Sequence, residues 1–252
     1  MSSAGGSSRQ RLVSAEVDGT PFSGPFLTNV AVYGWLGFAV LLFLLQALPY
    51  LSCRWVPDES WYSAPAYSII HGNGIANPAF GPNELESHID ARPPGTAIVV
   101  AAAFRLFGTG PITARLGPIL AGLAVILLTY FLARDVIGQA GALVATFLIA
   151  TDNFIVLTSR TARPEALTTM VVLLSLLAMK QYARYGLIGW AFLSGLLIAL
   201  GTMFHITLLG YIVSFGILAI VLDRRRGGFQ LRGISAYSTG RSPGSAGEAV
   251  AV

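Results

Sequence analysis

The sequence is poor in charged residues. Only 11% of its 252 residues are Asp, Glu, Lys or Arg, whereas a typical soluble domain carries about 25%. No charged residue lies between Asp18 and Arg54, and between Arg184 and Asp223 only His205 could carry a charge near neutral pH. The single cysteine also excludes an internal disulfide. These deficits exclude a soluble domain with an ordinary charged surface.

The sequence contains several long apolar runs instead. A run of about 20 apolar residues spans the hydrocarbon core of a bilayer. The first run follows a polar stretch and is too long for a cleavable signal peptide, so it is predicted to be a retained span. Residues 1–27 and 223–252 are rich in Gly and Ser and lack periodicity, so both are predicted to be disordered cytoplasmic tails. The apolar runs cover residues 28–51, 94–107, 116–133, 136–159, 166–179 and 187–222, the last with a turn near 202–207.

The topology depends on the run 94–107, which has 14 residues and is short for a span. If it does not cross, the basic residues near Arg134, Lys180, Arg184 and Arg224 all fall on the cytoplasmic side, as the positive-inside rule requires. If it crosses, they fall outside. The sequence therefore predicts an all-α, polytopic membrane domain over 28–222 with about six spans. An outer loop over 52–111 is predicted to carry juxtamembrane helices.

Acidic residues follow the first span. Asp58 and Glu59 stand just beyond it, where ionisable groups at the membrane boundary are candidates for function. A solvated loop whose acidic pair merely marks the end of the first helix is an equal alternative. A divalent metal ion could be bound by Asp58, Glu59, His88 and Asp90, although no recognisable ligand spacing supports it. No nucleic-acid motif is present.

The second outer loop and the approach to residue 94 add basic residues. Arg160, Arg163 and Glu165 lie together, and Arg92 precedes two prolines at the predicted head-group level. Guanidinium groups suit bidentate contacts with phosphate. The alternatives are a helix-start acid for Glu165 and an interfacial, snorkelling Arg92.

In order, these segments resemble the N-terminal half of a GT-C glycosyltransferase of the protein-mannosyltransferase and aminoarabinose-transferase group. The resemblance covers about residues 28–222. It is carried by Asp58-Glu59 with Tyr62 and Ala66 beyond, by 70–74 (IHGNG), by 88–95 (HIDARPPG), by Leu106-Phe107-Gly108 with Ala114-Arg115-Leu116, and by 159–165 (SRTARPE).

The resemblance implies transfer of a sugar from a polyprenyl-phosphate donor to an acceptor on the outer face of a membrane. Asp58 would be the general base, Glu59 would support it or help to bind a metal, and Glu165 would be a further catalytic acid. The residues implied to bind the substrate, most of them at the donor phosphate, are Arg92, Arg160, Arg163, Tyr62 and His88.

The resemblance also bears on cofactor, partners and location. A divalent metal ion is the candidate cofactor, but Ala91 stands where the aminoarabinose group has its metal-binding Glu. The implied partners are the polyprenyl-phosphate sugar, membrane lipid and a second membrane subunit. A multi-pass position in the plasma membrane, with the active face outside the cytoplasm, is expected.

Two other functions stay open. Such enzymes usually have more spans, so the chain could be a non-catalytic membrane subunit or fragment. A transporter of anionic lipid or sugar substrates is disfavoured, because transporters place ionisable groups near the midplane and often show internal repeats. Here the charges lie at the boundary and no repeat is visible.

Overall fold

The fold is built from helices. The computed structural model describes residues 25–76 and 92–225, and these residues contain no β-strand. A 3₁₀ turn, Leu48–Tyr50, extends the first helix. The helices are α1 (Pro25–Ala47), α2 (Pro57–Ile70), α3 (Gly95–Phe107), α4 (Pro111–Thr151), α5 (Asn153–Ser159), α6 (Glu165–Tyr185), α7 (Ile188–Gly201) and α8 (Leu208–Arg225).

Three of these segments are long and apolar enough to cross a membrane. They are α1 with its 3₁₀ extension, α4 and α6. This confirms the predicted all-α membrane protein. The predicted tails lie almost entirely outside the described residues, and the limits of the membrane domain at 28–222 stay a prediction.

Helix α4 is too long to be one straight span. Its 41 residues would measure about 62 Å at 1.5 Å per residue, twice the roughly 30 Å of the hydrocarbon core. The helix is interrupted at Gly138, whose φ of 73° and ψ of 175° belong to a region that essentially only glycine adopts. Gly138 therefore separates two shorter helical segments, and the break lies a few residues after the one predicted between the runs 116–133 and 136–159.

Packing against α1 shows how the first half of α4 runs. Near the start of α1, Val32 packs with Tyr130 in one apolar cluster. Towards the end of α1, the ring of Phe43 lies against Gly122. The two helices are thus antiparallel over this stretch.

The second half of α4 runs the other way. The indole Nε1 of Trp35 donates to the carbonyl of Leu143 at 3.0 Å, and Gln46 Nε2 donates to the carbonyl of Ala150 at 3.4 Å. This half is therefore parallel to α1, and the chain reverses direction at Gly138.

Helix α3 is short and stays near one end of the bundle. It has 13 residues, about 20 Å of helix. Val100 and Phe104 pack with Ala66 of α2 and with Ala114 in the first turn of α4. At its other end the amide of Gly95 lies against Met203, in the turn between α7 and α8. As predicted, this segment does not carry the chain to the opposite end of the bundle.

Helices α6, α7 and α8 complete the bundle. The hydroxyl groups of Ser175 in α6 and Ser194 in α7 lie 2.7 Å apart, and each also bonds the other residue's carbonyl. Satisfying these groups mutually removes the cost of burying them. The chain turns between Gly201 and Leu208, which confirms the turn predicted at 202–207.

The bundle has two chemically different ends. We call the end that holds Tyr50, Asp58 and the start of α4 the Asp58 end, and the end that holds Gly138 and Lys180 the Arg134 end. Lys180 marks the second end because its ammonium reaches Asp135 at 2.8 Å. All contacts that build a candidate active site lie at the first end.

Replacement of Gly138 by alanine tests the chain reversal. A Cβ at Gly138 would meet no atom within 4 Å, so only the backbone conformation opposes it, at a cost of about 1–3 kcal/mol. Gly37, in α1, has the same open surroundings but an ordinary helical backbone. We expect Gly138→Ala to lower the thermal unfolding midpoint in detergent by several degrees. Gly37→Ala should leave it unchanged or raise it. Equal midpoints for the two variants would contradict the assigned reversal.

Candidate active site at one end of the bundle

The site begins with the first turn of α2. Val56 is extended, and Pro57 then opens the helix because its fixed φ suits the first helical position. Asp58 and Glu59 follow in the first turn, where acids interact favourably with the positive helix terminus. Adjacent helical residues diverge by about 100° around the axis. These two carboxylates consequently face different surroundings.

Glu59 faces inward and is completely buried, with 0% of its side chain exposed. It forms a bidentate ion pair with Arg115, which is 1% exposed: Nε donates to Oε1 at 2.7 Å and Nη2 to Oε2 at 2.6 Å. The amides of Val56 and Ala162 each donate to one of its oxygens at 2.8 Å. Each carboxylate oxygen therefore accepts two hydrogen bonds.

The ionisation of Glu59 reflects this environment. Burial by itself would raise its pKa. The hydrogen bond from Arg115, the amides of Val56 and Ala162, and the charge of Arg115 together outweigh burial and hold the pKa below its usual value. Glu59 is thus a charged, fully satisfied group inside the protein.

Arg115 also binds the backbone at the end of α1. Its Nη1 donates to the carbonyls of Tyr50, Leu51 and Cys53 at 2.8, 2.8 and 3.0 Å, and its Nη2 donates to that of Arg54 at 3.1 Å. Tyr50 ends the 3₁₀ extension of α1, and its carbonyl also accepts from the amide of Cys53. Leu51, Cys53 and Arg54 follow that extension. One side chain therefore joins the end of α1, the start of α2 and the start of α4.

The contact with Ala162 brings in the loop between α5 and α6. The next residue, Arg163, donates from Nη1 to Asp58 Oδ2 at 3.0 Å. Its Nε and Nη2 both face the carboxylate of Glu165, at 3.0 and 2.5 Å from Oε1. The structure thus brings together three predicted site residues, Asp58, Arg163 and Glu165, although 105 positions separate the first two. We call them the acid–arginine cluster.

The cluster is open to its surroundings where Asp58 lies. The side chain of Asp58 is 59% exposed, and among the described residues only Oδ2 receives a hydrogen bond. The hydrogen bond from Arg163 to Glu165 is the main cause of a raised pKa of Arg163, against the opposing effect of partial burial. Arg163 therefore remains a permanent cation held by two carboxylates.

Tyr62 lies on the same helix as Asp58, and Arg92 packs against that helix. Tyr62 is one helical turn after Asp58 and so shares its face. The Arg92 guanidinium lies 3.8 Å above the ring of Trp61 and 5.9 Å from that of Tyr62, distances typical of cation–π contact. The structure thus places these two predicted substrate-binding residues beside the acid–arginine cluster.

Arg160 is not in the cluster. Its guanidinium lies 3.8 Å above the ring of Tyr50. It lines a separate cleft of about 410 Å³ between α1 and α5, together with Gln46 and Asn153. Two further predicted residues, His88 and Asp90, lie outside the described residues.

Metal binding receives no support from the part of the chain that the structure describes. Within residues 25–76 and 92–225, no group of three His, Cys, Asp or Glu side chains could hold an ion. Both oxygens of Glu59 are already used by protein donors, so in this geometry it offers a metal no ligand atom. Asp58 keeps an exposed oxygen, whereas His88 and Asp90 are not described.

Arg115 is the residue that sequence reasoning missed. It was part of a segment that resembled the start of the second span, but no role was predicted for it. The available signal was a single cation at the edge of a run that is uncharged from Leu116 to Ala133. A charge there requires a partner, and Glu59 beyond the preceding span was one of the few acids on the same predicted side.

Comparison with known proteins identifies the family of the chain. The family model described as dolichyl-phosphate-mannose-protein mannosyltransferase matches residues 91–238. The matched range includes Arg92, Arg115, Arg163 and Glu165, whereas Asp58 and Glu59 precede it. The chain is also 29% identical over 144 residues to a protein of Aquifex aeolicus (strain VF5) that is described only as uncharacterized. That match covers 57% of this chain and 28% of the relative. No solved structure shows a significant match.

Substitution of Arg115 tests the junction. Arg115→Leu leaves a buried carboxylate without its cation and removes the side-chain donor of four carbonyls, so we expect a loss of about 3–5 kcal/mol. Arg105→Leu removes the same charge from an exposed position on α3 and should change stability by less than about 0.5 kcal/mol. Unfolding midpoints measured in detergent check this.

If Arg115→Leu does not accumulate, Glu59→Gln provides the measurement instead. It keeps the shape but turns one acceptor into a donor that faces donors, and it should also lower the midpoint. An unchanged midpoint in Glu59→Gln, equal to that of Arg105→Leu, would show that the ion pair does not hold the junction.

Proposed function

Because the chain belongs to the dolichyl-phosphate-mannose-protein mannosyltransferase family of membrane glycosyltransferases, we propose that it transfers a sugar from a polyprenyl-phosphate donor to an acceptor hydroxyl. The reaction would take place at the outer face of the membrane. The observation that carries the proposal is the acid–arginine cluster, which joins an exposed carboxylate of α2 to the loop between α5 and α6 at one end of an apolar bundle.

In the proposed reaction Asp58 is the general base. Its exposed carboxylate takes the proton from the acceptor hydroxyl, and the acceptor oxygen attacks the anomeric carbon of the sugar. The bond between that carbon and the phosphate oxygen breaks, and the phosphate leaves with the bonding electrons. A base in this role must lie within hydrogen-bond reach of the proton, which suits an Asp58 with one oxygen unbonded among the described residues.

Charge decides which cation binds the leaving phosphate. Asp58 and Glu165 carry two negative charges against the one positive charge of Arg163, so the cluster alone would repel an anion. Arg92, held on the ring of Trp61 three residues from Asp58, supplies the missing positive charge. We therefore assign the donor phosphate chiefly to Arg92, with Tyr62 beside it. Arg160 would contact lipid phosphate from its own cleft.

Two residues predicted to be catalytic acids receive positioning roles. Glu59 is buried with four hydrogen bonds and offers no oxygen to a substrate or a metal, which argues against the predicted catalytic or metal-binding part. Glu165 holds the Nε and Nη2 edge of Arg163. In the proposed mechanism both residues hold Asp58 in position and neither contacts the substrate.

The proposal includes an orientation. The Asp58 end would face away from the cytoplasm, because Lys180, Arg184 and Arg134 lie at the other end and lysine and arginine prefer the cytoplasmic side. Six crossings follow if α1, the two halves of α4, α6, α7 and α8 each span. The plasma membrane remains the expected location.

Replacement of Asp58 by asparagine tests the base. Asp58→Asn keeps the size of the side chain but cannot accept the proton, so transfer should fall by at least about 100-fold. Asp152→Asn is the matched control at the N-cap of α5, where asparagine caps as well as aspartate. Membranes carrying each variant would be given polyprenyl-phosphate mannose labelled in the sugar. Wild-type transfer by Asp58→Asn at equal protein level would overturn the assignment.

Replacement of Arg163 by lysine separates positioning from phosphate binding. Lysine keeps the charge but cannot hold Asp58 and Glu165 with one planar fork. We expect kcat to fall by about 10–100-fold through misplacement of Asp58, with little change in the KM for the donor. Arg92→Lys should instead raise the KM for the donor. A raised KM with unchanged kcat in Arg163→Lys would place Arg163 on the phosphate.

A further inference from the structure

A cavity of about 450 Å³ lies at the Arg134 end, between α1 and the chain reversal in α4. It is remote from the acid–arginine cluster: residue 32 of α1 contributes to it, and residue 50 lies at the other end, about 27 Å away along the helix. Its lining changes from apolar to polar towards the end of the bundle. The apolar wall comes from Val32, Leu36 and Tyr130, and the polar rim from Asn29, Arg134, Asp135 and Gln139.

Arg134 is the cation of this rim, and its charge is only weakly offset. Its Nε lies 3.4 Å from Asp135 Oδ1, which is too long for a strong hydrogen bond. Among the described residues, no carboxylate or carbonyl accepts a hydrogen bond from the N–H groups of its Nη1 and Nη2 atoms. Asp135 is shared with Lys180, which approaches Oδ2 at 2.8 Å and also donates to the carbonyl of Phe131.

The surrounding charge is positive. Among the described side chains at this end, the cations Arg134, Lys180, Arg184 and Arg224 face two acids, Asp135 and Asp223, an excess of two positive charges. Asp223 is the more distant acid and approaches Tyr182, whose hydroxyl lies 3.5 Å from its Oδ1. The field at the cavity mouth therefore favours an anion.

We propose that this cavity binds the head group of an anionic phospholipid. The phosphate would accept hydrogen bonds from the Nη1 and Nη2 atoms of the Arg134 guanidinium. The side-chain amides of Asn29 and Gln139 suit the hydroxyl and ester oxygens of a head group such as glycerol. The acyl chains would follow the apolar wall into the bilayer. Basic pockets between membrane helices recognise anionic head groups by this combination of charge and apolar wall.

The apolar wall of the cavity favours a lipid over a soluble anion as the ligand. A free phosphate would use the rim alone and leave the surfaces of Val32, Leu36 and Tyr130 without a partner, whereas a lipid covers both. Charge complementarity also distinguishes among lipids. A zwitterionic head group would bring its own cation into a site that already has an excess of positive charge.

Lipid titration of the purified chain in detergent tests the proposal. Phosphatidylglycerol, phosphatidylcholine and inorganic phosphate would each be added, and the unfolding midpoint measured. We expect phosphatidylglycerol to raise the midpoint at concentrations at which phosphatidylcholine and inorganic phosphate have little effect, since a ligand that binds only the folded state stabilises it. Equal shifts with both lipids, or an equal shift with inorganic phosphate, would overturn it.

The matched variants are Arg134→Gln and Arg105→Gln, which remove one exposed arginine from opposite ends. Arg134→Gln should weaken the apparent affinity for phosphatidylglycerol at least about tenfold, whereas Arg105→Gln should leave it unchanged. Arg134→Lys should restore part of the affinity, which guards against a merely structural effect. Retention of full affinity in Arg134→Gln, or loss in Arg105→Gln, would place the lipid elsewhere. Sugar transfer need not change in any of these variants, so the result does not depend on the proposed function.

Discussion

The ion pair between Glu59 and Arg115 is the constraint on which the candidate site depends. Taking two charges out of water costs several kcal/mol per ion, and their attraction repays it only when the remaining hydrogen-bonding groups are also satisfied. Here those groups are satisfied, because two backbone amides donate to Glu59 and four backbone carbonyls accept from Arg115. Such a pair tolerates few alternative geometries. Its main effect is therefore to define one arrangement of three helix ends and a loop rather than to add much net stability.

That arrangement places Asp58. The carboxylate of Glu59 turns one face of α2 inward, so the preceding residue must turn another face outward. The amide of Ala162 is bound to the same carboxylate, so the following residue, Arg163, arrives beside Asp58. A buried, inert acid thus determines the position of an exposed, reactive one. The contact between Asp58 and Arg163 follows from the ion pair beneath it and does not have to assemble by itself on the surface.

The fold could be predicted from the sequence better than the candidate site could. Uncharged runs and the placement of Arg134 and Lys180 were enough to predict the helices, the turn at 202–207 and the short helix after Pro94, because each rests on local hydrophobicity or on charge. Asp58, Arg163 and Glu165 were predicted to share one end, which topology alone implies. The opposite orientations of Asp58 and Glu59 were not predicted, since they depend on a partner 56 positions away. Nor was the isolation of Arg160, which depends on how α5 packs beside Tyr50.

The geometry of Arg163 shows why proximity to a site does not define a role. A guanidinium group has five N–H donors in a fixed plane, and here three are directed at carboxylates. A phosphate bound to the two remaining N–H groups would add a further anion beside the carboxylates of Asp58 and Glu165. Like charges at that range raise each other's pKa and would alter the basicity of Asp58. An arginine that holds both acids in place and a second cation, Arg92, that binds the phosphate avoid this conflict, because the two tasks then fall on different side chains.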